Sequence, residues 1–390
     1  MLKSFKYKLK PNEEQKILLN RHFGSVRFIY NYFLNERIRE YKTNNETLNY
    51  YNNCNSLTEL KHSNEYFWLN EVNSQSLQQS LKHLDSAYNN FFKGKGKFPK
   101  FKSKHNKNSF TVPQAVKLIN NKLHIRKFDD EINVILHRKL KGEIKQCTIS
   151  KSNTNEYFVS ILVETNHTKL PKTNKQIGVD LGLKDFAITS DGYKYKNNKY
   201  TKHYEKQLAK AQQHLSRKTK GSNRYEQQRL KVANIHKKIT NSRMDNLHKV
   251  STDLISKYDT IILEDLNIKG MIKNHKLAKH ISDAAWGNFI QMLIYKAEWN
   301  DKQIVKINRF YPSSKACNNC GYINQDLKLD VRNWTCSKCE TAHDRDINAA
   351  KNIYKEGLKI LSSGTDDYRR GDKIRPALAG TVDETSKILN

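Results

Sequence analysis

Two cysteine pairs late in the chain, Cys317-Asn-Asn-Cys320 and Cys336-Ser-Lys-Cys339, are separated by fifteen residues and constrain the fold more than any other feature. Four thiolates at this spacing form the ligand set of a tetrahedral structural zinc site. A full set of four leaves no open position on the ion, so its expected role is structural. His343 is a substitute ligand in the same segment. Cys54 and Cys147 stand apart, and six cysteines used this way fit a reducing compartment better than a disulfide framework.

The 390 residues exceed one ordinary domain, and 70 Lys plus Arg against 39 Asp plus Glu give a net charge of +31. Positive charge spread along the chain points to a polyanionic partner, and nucleic acid is the expectation. The alternation of Lys with apolar residues in MLKSFKYKLK lacks the apolar core of a secretory signal, and no run approaches a membrane span. A cytoplasmic protein with no membrane partner is expected.

An α+β multidomain chain follows from the order of patterns. Residues 1–10 and 109–170 carry short alternating segments such as INVILH and YFVSILVE, which suggest a small barrel or wedge-like β domain. Residues 11–108 form an inserted helical region, whose first helix has Ile17, Leu18, Phe23, Val26, Phe28, Ile29, Phe33 and Leu34 as its apolar face. It ends in KGKGKFPKFKSKHNK, a loop broken by glycines and proline, in which Lys93, Lys95, Lys97, Lys100, Lys102 and Lys104 would meet phosphates. Phe98 and Phe101 in this loop offer faces for bases to stack on. Residues 171–312 and 341–361 alternate strands and helices as in an RNase H-like α/β domain, with the cysteine segment, residues 313–340, inserted as a zinc ribbon. Residues 362–390 form a polar tail expected to be flexible. In residues 224–258 the expected helix buries Leu230, Ala233, Leu247, Val250 and Leu254 and turns a basic face outward.

Three acidic positions carry the chemistry. In QIGVDLGL, Gly178, Asp180 and Gly182 share one strand face, and the glycines leave room around a carboxylate that is costly to bury without a cation. In DTIILEDLNI an apolar strand ends in Glu264 and Asp265, and periodicity alone does not say which of the two faces Asp180. In HDRDINAAKNIY, Asp344 is placed to cap a helix whose apolar stripe is Ile347, Ala350, Tyr354, Leu358 and Leu361. Asp346 then lies in its first turn, followed by the small Ala349 and Ala350. Carboxylates are the ligands of hard divalent cations, which in pairs can drive phosphodiester hydrolysis.

GVDLGLKDFAITSDG, TIILEDLNI, the paired cysteines and HDRDINAAKN, in this order, resemble the TnpB (OrfB) proteins of bacterial insertion sequences, with type V CRISPR effectors as larger relatives. KYKLKPNEEQ and FFKGKGKFPKFKSK extend the resemblance into the N-terminal half, and only the tail beyond Leu361 lies outside it. The resemblance implies that Asp180, Glu264 and Asp346 are the catalytic carboxylates of a RuvC-type site, choosing Glu264 over Asp265. Two magnesium ions, replaceable by manganese, would be held by Asp180 with Glu264 and by Asp180 with Asp346. It further implies a guide RNA from the element's end, a double-stranded DNA target and hydrolytic cutting, with a monomer favoured. The rival readings are a non-cutting DNA-binding accessory protein of transposition and an RNA-guided repressor.

Overall fold

The computed structural model describes residues 1–105, 107–328 and 330–363, in two compact units that divide after Asn166. The expected flexible tail lies almost wholly outside the described residues, although Ser362 still belongs to the last helix.

The first unit opens with strand β1 (Leu2–Lys10), followed by α1 (Glu13–Asn44), α2 (Tyr50–His62), a 3-10 segment (Asn64–Glu71) and α3 (Ser74–Phe92). Asn12 starts α1 with a reciprocal cap, its side chain accepting from the Gln15 amide while Gln15 accepts from the Asn12 amide. The inward face of α1 is Leu19, Phe23, Val26, Ile29, Phe33 and Leu34, whereas Ile17 is 57% exposed because it lies one position off the three-and-four spacing that reaches the core. Six more strands follow: β2 (Asn108–Val112), β3 (Lys117–Ile119), β4 (Lys122–His124), β5 (Ile132–Ile135), β6 (Glu143–Lys151) and β7 (Tyr157–Glu164). With β1 they form a seven-stranded antiparallel sheet in the order β2-β6-β7-β1-β5-β4-β3. It is a curled half-barrel and not a closed barrel, since β2 and β3 end the order and do not pair with each other. Alternate residues of β1 and β7, among them Tyr7, Leu9, Val159 and Ile161, share one apolar core with α1 and α3.

The second unit is built on a mixed sheet. Strands β8 (Gln176–Leu181), β9 (Asp185–Thr189) and β10 (Lys194–Lys196) form an antiparallel meander; helices α4 (Tyr200–Ser216) and α5 (Asn223–Lys257) then lead to β11 (Thr260–Glu264). Helices α6 (Ile268–Met271), α7 (His275–Ala284) and α8 (Trp286–Trp299) lead to β12 (Gln303–Ile307). The sheet order is β10-β9-β8-β11-β12, with β11 parallel to both neighbours. The cysteine segment carries a hairpin of β13 (Asn333–Thr335) and β14 (Ala342–Asp344), and α9 (Arg345–Ser362) closes the chain.

Helices cover both faces of this sheet. On one, Ile177, Val179, Ile261 and Leu263 pack against Leu247, Val250 and Leu254 of α5 and Phe289 and Leu293 of α8. On the other lies α9, with Ile353 packed on Ile262, Val305 and Ile307. The buried face of α5 differs from the expected stripe in its first half, where Val232, Ile235 and Ile239 replace Leu230 and Ala233. That half packs on α4 while the second half packs on the sheet and α8, so one straight stripe does not serve both partners. No helix among the described residues is long and apolar enough to cross a membrane.

Candidate active site and zinc cluster

Leu263 on β11 is in register with Val179 on β8, and the next residues on these parallel strands are Glu264 and Asp180. Both acids therefore sit at the carboxyl edge of adjacent strands and on the same face. That face is the one turned to α9: a Cβ at Gly178, two residues before Asp180, would lie 2.4 Å from the Ala350 carbonyl oxygen and 2.6 Å from the Tyr354 nitrogen. The glycine's missing side chain is thus filled by helix backbone and not left as open space around Asp180. Gly182 serves the turn, where a Cβ would meet the Asp185 carbonyl oxygen at 2.8 Å.

The approach of α9 also revises its inward stripe. Ala349, Ala350, Ile353 and Gly357 are the apolar residues fully buried, while Ile347, Tyr354, Leu358 and Leu361 are only partly covered. Gly357 lies so close to β11 that an added Cβ would be 2.3 Å from Ile262 Cγ2. Drawn onto the sheet this tightly, the helix presents its first turn to the strand edge.

Asp344 and Asp346 divide that turn between them. Asp344 Oδ1 accepts from the amides of Asp346 and Ile347 at 3.0 and 3.1 Å, and Oδ2 accepts from Lys194 Nζ at 2.6 Å. Burial works against its ionisation, yet Lys194 and the helix amides hold its carboxyl below the ordinary range. Asp346 is free of capping duty; Arg332 Nη1 donates to both its oxygens at 2.9 and 3.2 Å.

Asp180 is the electrostatic centre. Burial first, then the charges of Glu264 and Asp346, push its carboxyl up to about 7, against weaker pulls from Arg345 and the Leu181 amide. Glu264 is raised by burial and steadied by Ser313, whose Oγ donates to Oε1 at 2.5 Å. Asp265 lies apart: although burial opposes it, Arg309 at 2.7 Å and Lys306 at 3.3 Å keep it below the usual carboxylate range. The structure therefore brings Glu264 and Asp346 within electrostatic reach of Asp180 and commits Asp265 and Asp344 to other partners.

Cys317, Cys320, Cys336 and Cys339 converge, with all four sulfurs within 4.8 Å of one another. The Sγ separations of 3.6 Å for Cys317 with Cys339 and for Cys320 with Cys336 suit a tetrahedron with Zn–S of about 2.3 Å, whose edges are about 3.8 Å. His343 Nε2 lies 3.1 Å from Cys317 Sγ, beside this set. The four-cysteine cluster thus has the make-up of a structural zinc site.

This cluster is joined to the acidic site by groups that periodicity does not single out. Asn348 Nδ2 donates to the Ala316 carbonyl at 2.7 Å and its Oδ1 accepts from the Asn318 amide at 2.9 Å. Asn352 Nδ2 donates to the carbonyls of Ser313 and Ala316 at 2.8 and 2.6 Å. Arg345, buried, donates to the Lys328 carbonyl at 2.7 Å. In the sequence the only sign is three polar residues, Arg345, Asn348 and Asn352, at helical spacing on a face that should be apolar.

The lysine loop of the first unit is exposed at Lys93, Lys95, Lys97, Lys100 and Lys104. Lys102 differs: the residue reaches the surface, but its ammonium lies 3.6 Å from the Tyr30 ring centroid and burial lowers it to about 8, while Asn31 binds its backbone at both ends. Phe98 stacks edge-on against Tyr88 and Phe91 of its own unit, which leaves Phe101 as the loop's free aromatic face.

The chain aligns with the protein of a cryo-EM structure of the Cas12f1-sgRNA-target DNA complex at a TM-score of 0.58 and 13% identity, covering 91% of this chain and 98% of that one; the two share a fold. Residues 160–275 match the OrfB_IS605 family profile ("Probable transposase"), residues 286–353 the Cas12f1-like TNB domain, and residues 1–46, here β1 and α1, a helix-turn-helix profile of the same family. A Streptomyces pristinaespiralis protein named "Putative RNA-guided DNA endonuclease" is 39% identical over 96% of this chain and 92% of its own. Escherichia coli K12 InsQ, which bears the same description, is 31% identical over 93% and 94%. The chain belongs to the TnpB (OrfB, IS605) family, which is related to Cas12f.

Proposed function

We propose that this chain is an RNA-guided DNA endonuclease whose second unit is an RNase H-like (RuvC-type) domain, hydrolysing DNA phosphodiesters with two divalent cations held by Asp180, Glu264 and Asp346. The observation that carries the reading is the placement of Asp180 and Glu264 at the carboxyl edge of adjacent strands, with Asp346 in the first turn of the helix laid over them. Such a cluster is costly for the folded chain unless cations join it. An all-oxygen donor set fits magnesium or manganese. The names of the relatives, and the guide RNA and target DNA named with the Cas12f1 structure, supply the substrate class.

Asp180 would be shared by the two cations, with Glu264 completing one site and Asp346 the other. When bound, the ions supply a water of lowered pKa for attack and charge stabilisation at the leaving 3′ oxygen. Ser313 orients Glu264 through its hydroxyl, and Arg332 balances Asp346. The Asp180 proton must leave as cations bind, so loading should weaken below about pH 7. The four cysteines would hold zinc and, through Asn348 and Asn352, keep the start of α9 in place. Residues 1–10 and 109–170 would act as the wedge and residues 11–108 as the recognition region. The lysines at 93, 95, 97, 100 and 104 would lie along guide or heteroduplex phosphates, with Lys102 as the loop's internal anchor.

The test is to express the chain with its native flanking DNA, sequence the copurified RNA and assay magnesium-dependent cutting of the matching target. A discrete RNA and cutting that Asp180→Ala abolishes are expected. Bound RNA without any cutting by the wild type would sink the nuclease reading in favour of a repressor.

A further inference from the structure

Residues 308–313 form a loop that leaves and returns to one acid. Ile307 pairs with Glu264 across the sheet, and Ser313 donates its hydroxyl to Glu264. Between them the residues other than Phe310 are tied into the protein by a side chain or by the backbone. Asn308 accepts from the Phe310 amide at 2.9 Å, Arg309 binds Asp265 at 2.7 Å, and Tyr311 packs on the Ile262, Val305, Ile307 and Ile353 cluster. Pro312 stiffens the return, where the Lys315 and Ala316 amides donate to its carbonyl. Phe310 is left projecting at 85% exposure, the most exposed large hydrophobic side chain among the described residues. A loop tied at both ends and through its neighbours cannot fold this ring away, so its exposure belongs to the native state.

We propose that Phe310 is a stacking platform for an unpaired base of the nucleic-acid strand held at the carboxylates, a positioning residue that fixes the phosphate to be cut. The inference rests on the nuclease reading above. Phe310 lies three positions after Ile307, a span of at most about 10 Å, which is the reach of one to two nucleotides along an extended strand. A flat apolar face suits any base, as a site whose sequence choice lies elsewhere requires. Lys306 and Arg309, sharing the single charge of Asp265, leave the loop's base positive toward the phosphate on either side of that base.

The experiment uses the full chain with its copurified RNA and a matching target DNA in which 2-aminopurine replaces one base at a time around the cut, with calcium in place of magnesium. Wild type should quench the probe at one or two positions adjoining the cut. Phe310→Ala and Phe310→Leu should lose that quenching, and Phe310→Trp should keep it. With magnesium, Phe310→Ala should lower kcat about tenfold, the scale of one base stack, with target affinity nearly unchanged and the cut positions spread. Equal fluorescence of wild type and Phe310→Ala at every position would overturn the proposal. Binding alone decides this comparison, here or on single-stranded oligonucleotides bearing the same probe, so a chain that binds but never cuts would refute the nuclease reading and leave the stacking role still decided.

Discussion

A carboxyl that titrates at 3.8 when unperturbed and at about 7 in the folded chain ties stability to pH in the reverse of the usual carboxylate direction. Between those values the folded state binds more protons than the unfolded one, so stability is full below the lower value and falls as pH rises through the higher. At about 1.4 kcal/mol per unit the effect has an upper limit of roughly 4 kcal/mol. In magnesium-free buffer, Asp180→Asn should therefore melt above the wild type at pH 8 and lose that advantage toward pH 4; parallel melting curves at all pH values would refute the burial-and-charge account. Magnesium should raise the wild-type melting temperature at pH 8 and leave Asp180→Asn nearly unmoved. The two acids at the start of α9 should separate cleanly. Asp344→Ala, without its two amide hydrogen bonds and the Lys194 pair, should cost about 1 kcal/mol in a denaturant titration while keeping some cutting. Asp346→Ala should cost little stability and abolish cutting.

At the scale of elements, the distance between α9 and the sheet decides whether the acids meet. At Gly178 an added Cβ would strike backbone atoms of α9, which cannot rotate away, so Gly178→Ala should destabilise by roughly 1–3 kcal/mol and reduce cutting at once. At Gly357 the nearest atoms belong to the Ile262 side chain and not to backbone, and Gly357→Ala should be milder in both assays. Removing zinc, or Cys336→Ser, should loosen the segment that Asn348 and Asn352 grip and so lower cutting, although no cysteine belongs to the proposed cation site; intact cutting with the metal stripped would show the cluster to be independent of the site. Much of this was legible in the chain: alternation placed Asp180 inside a strand, an apolar run placed Glu264 at the end of another, and cysteine spacing gave the zinc cluster. Periodicity could not choose Glu264 over Asp265, because that choice depends on Lys306 and Arg309 arriving from β12 and the loop beyond it. Ser313 and Arg332 were invisible for the same reason, since each acts through a partner distant in sequence and such a pairing leaves no repeat, while Asn348 and Asn352 showed only as polar residues at helical spacing. Gly178 was read as making space because a sequence records a missing side chain and not the backbone that fills its place.

For the molecule as a whole, a net charge of +31 makes affinity for nucleic acid a function of salt. Replacing Lys93, Lys95, Lys97, Lys100 and Lys104 with Gln should flatten the plot of log affinity against log salt by up to about 0.7–0.9 for each phosphate no longer neutralised, with melting temperature unchanged. Lys102→Gln, which removes the ammonium over Tyr30, should instead lower the melting temperature. The proposed acids stand at positions 180, 264 and 346, and the last of them is brought to the sheet by the final helix described, just after the second cysteine pair. Translation delivers these parts in that order. A nascent chain can complete its first unit and pair β8 with β11 while α9 is still inside the ribosome, and at that stage it carries two acids of three and an open set of thiolates. On the proposed mechanism cutting competence therefore waits for α9, and a message broken before the codon for Asp346 would yield a product unable to sever DNA.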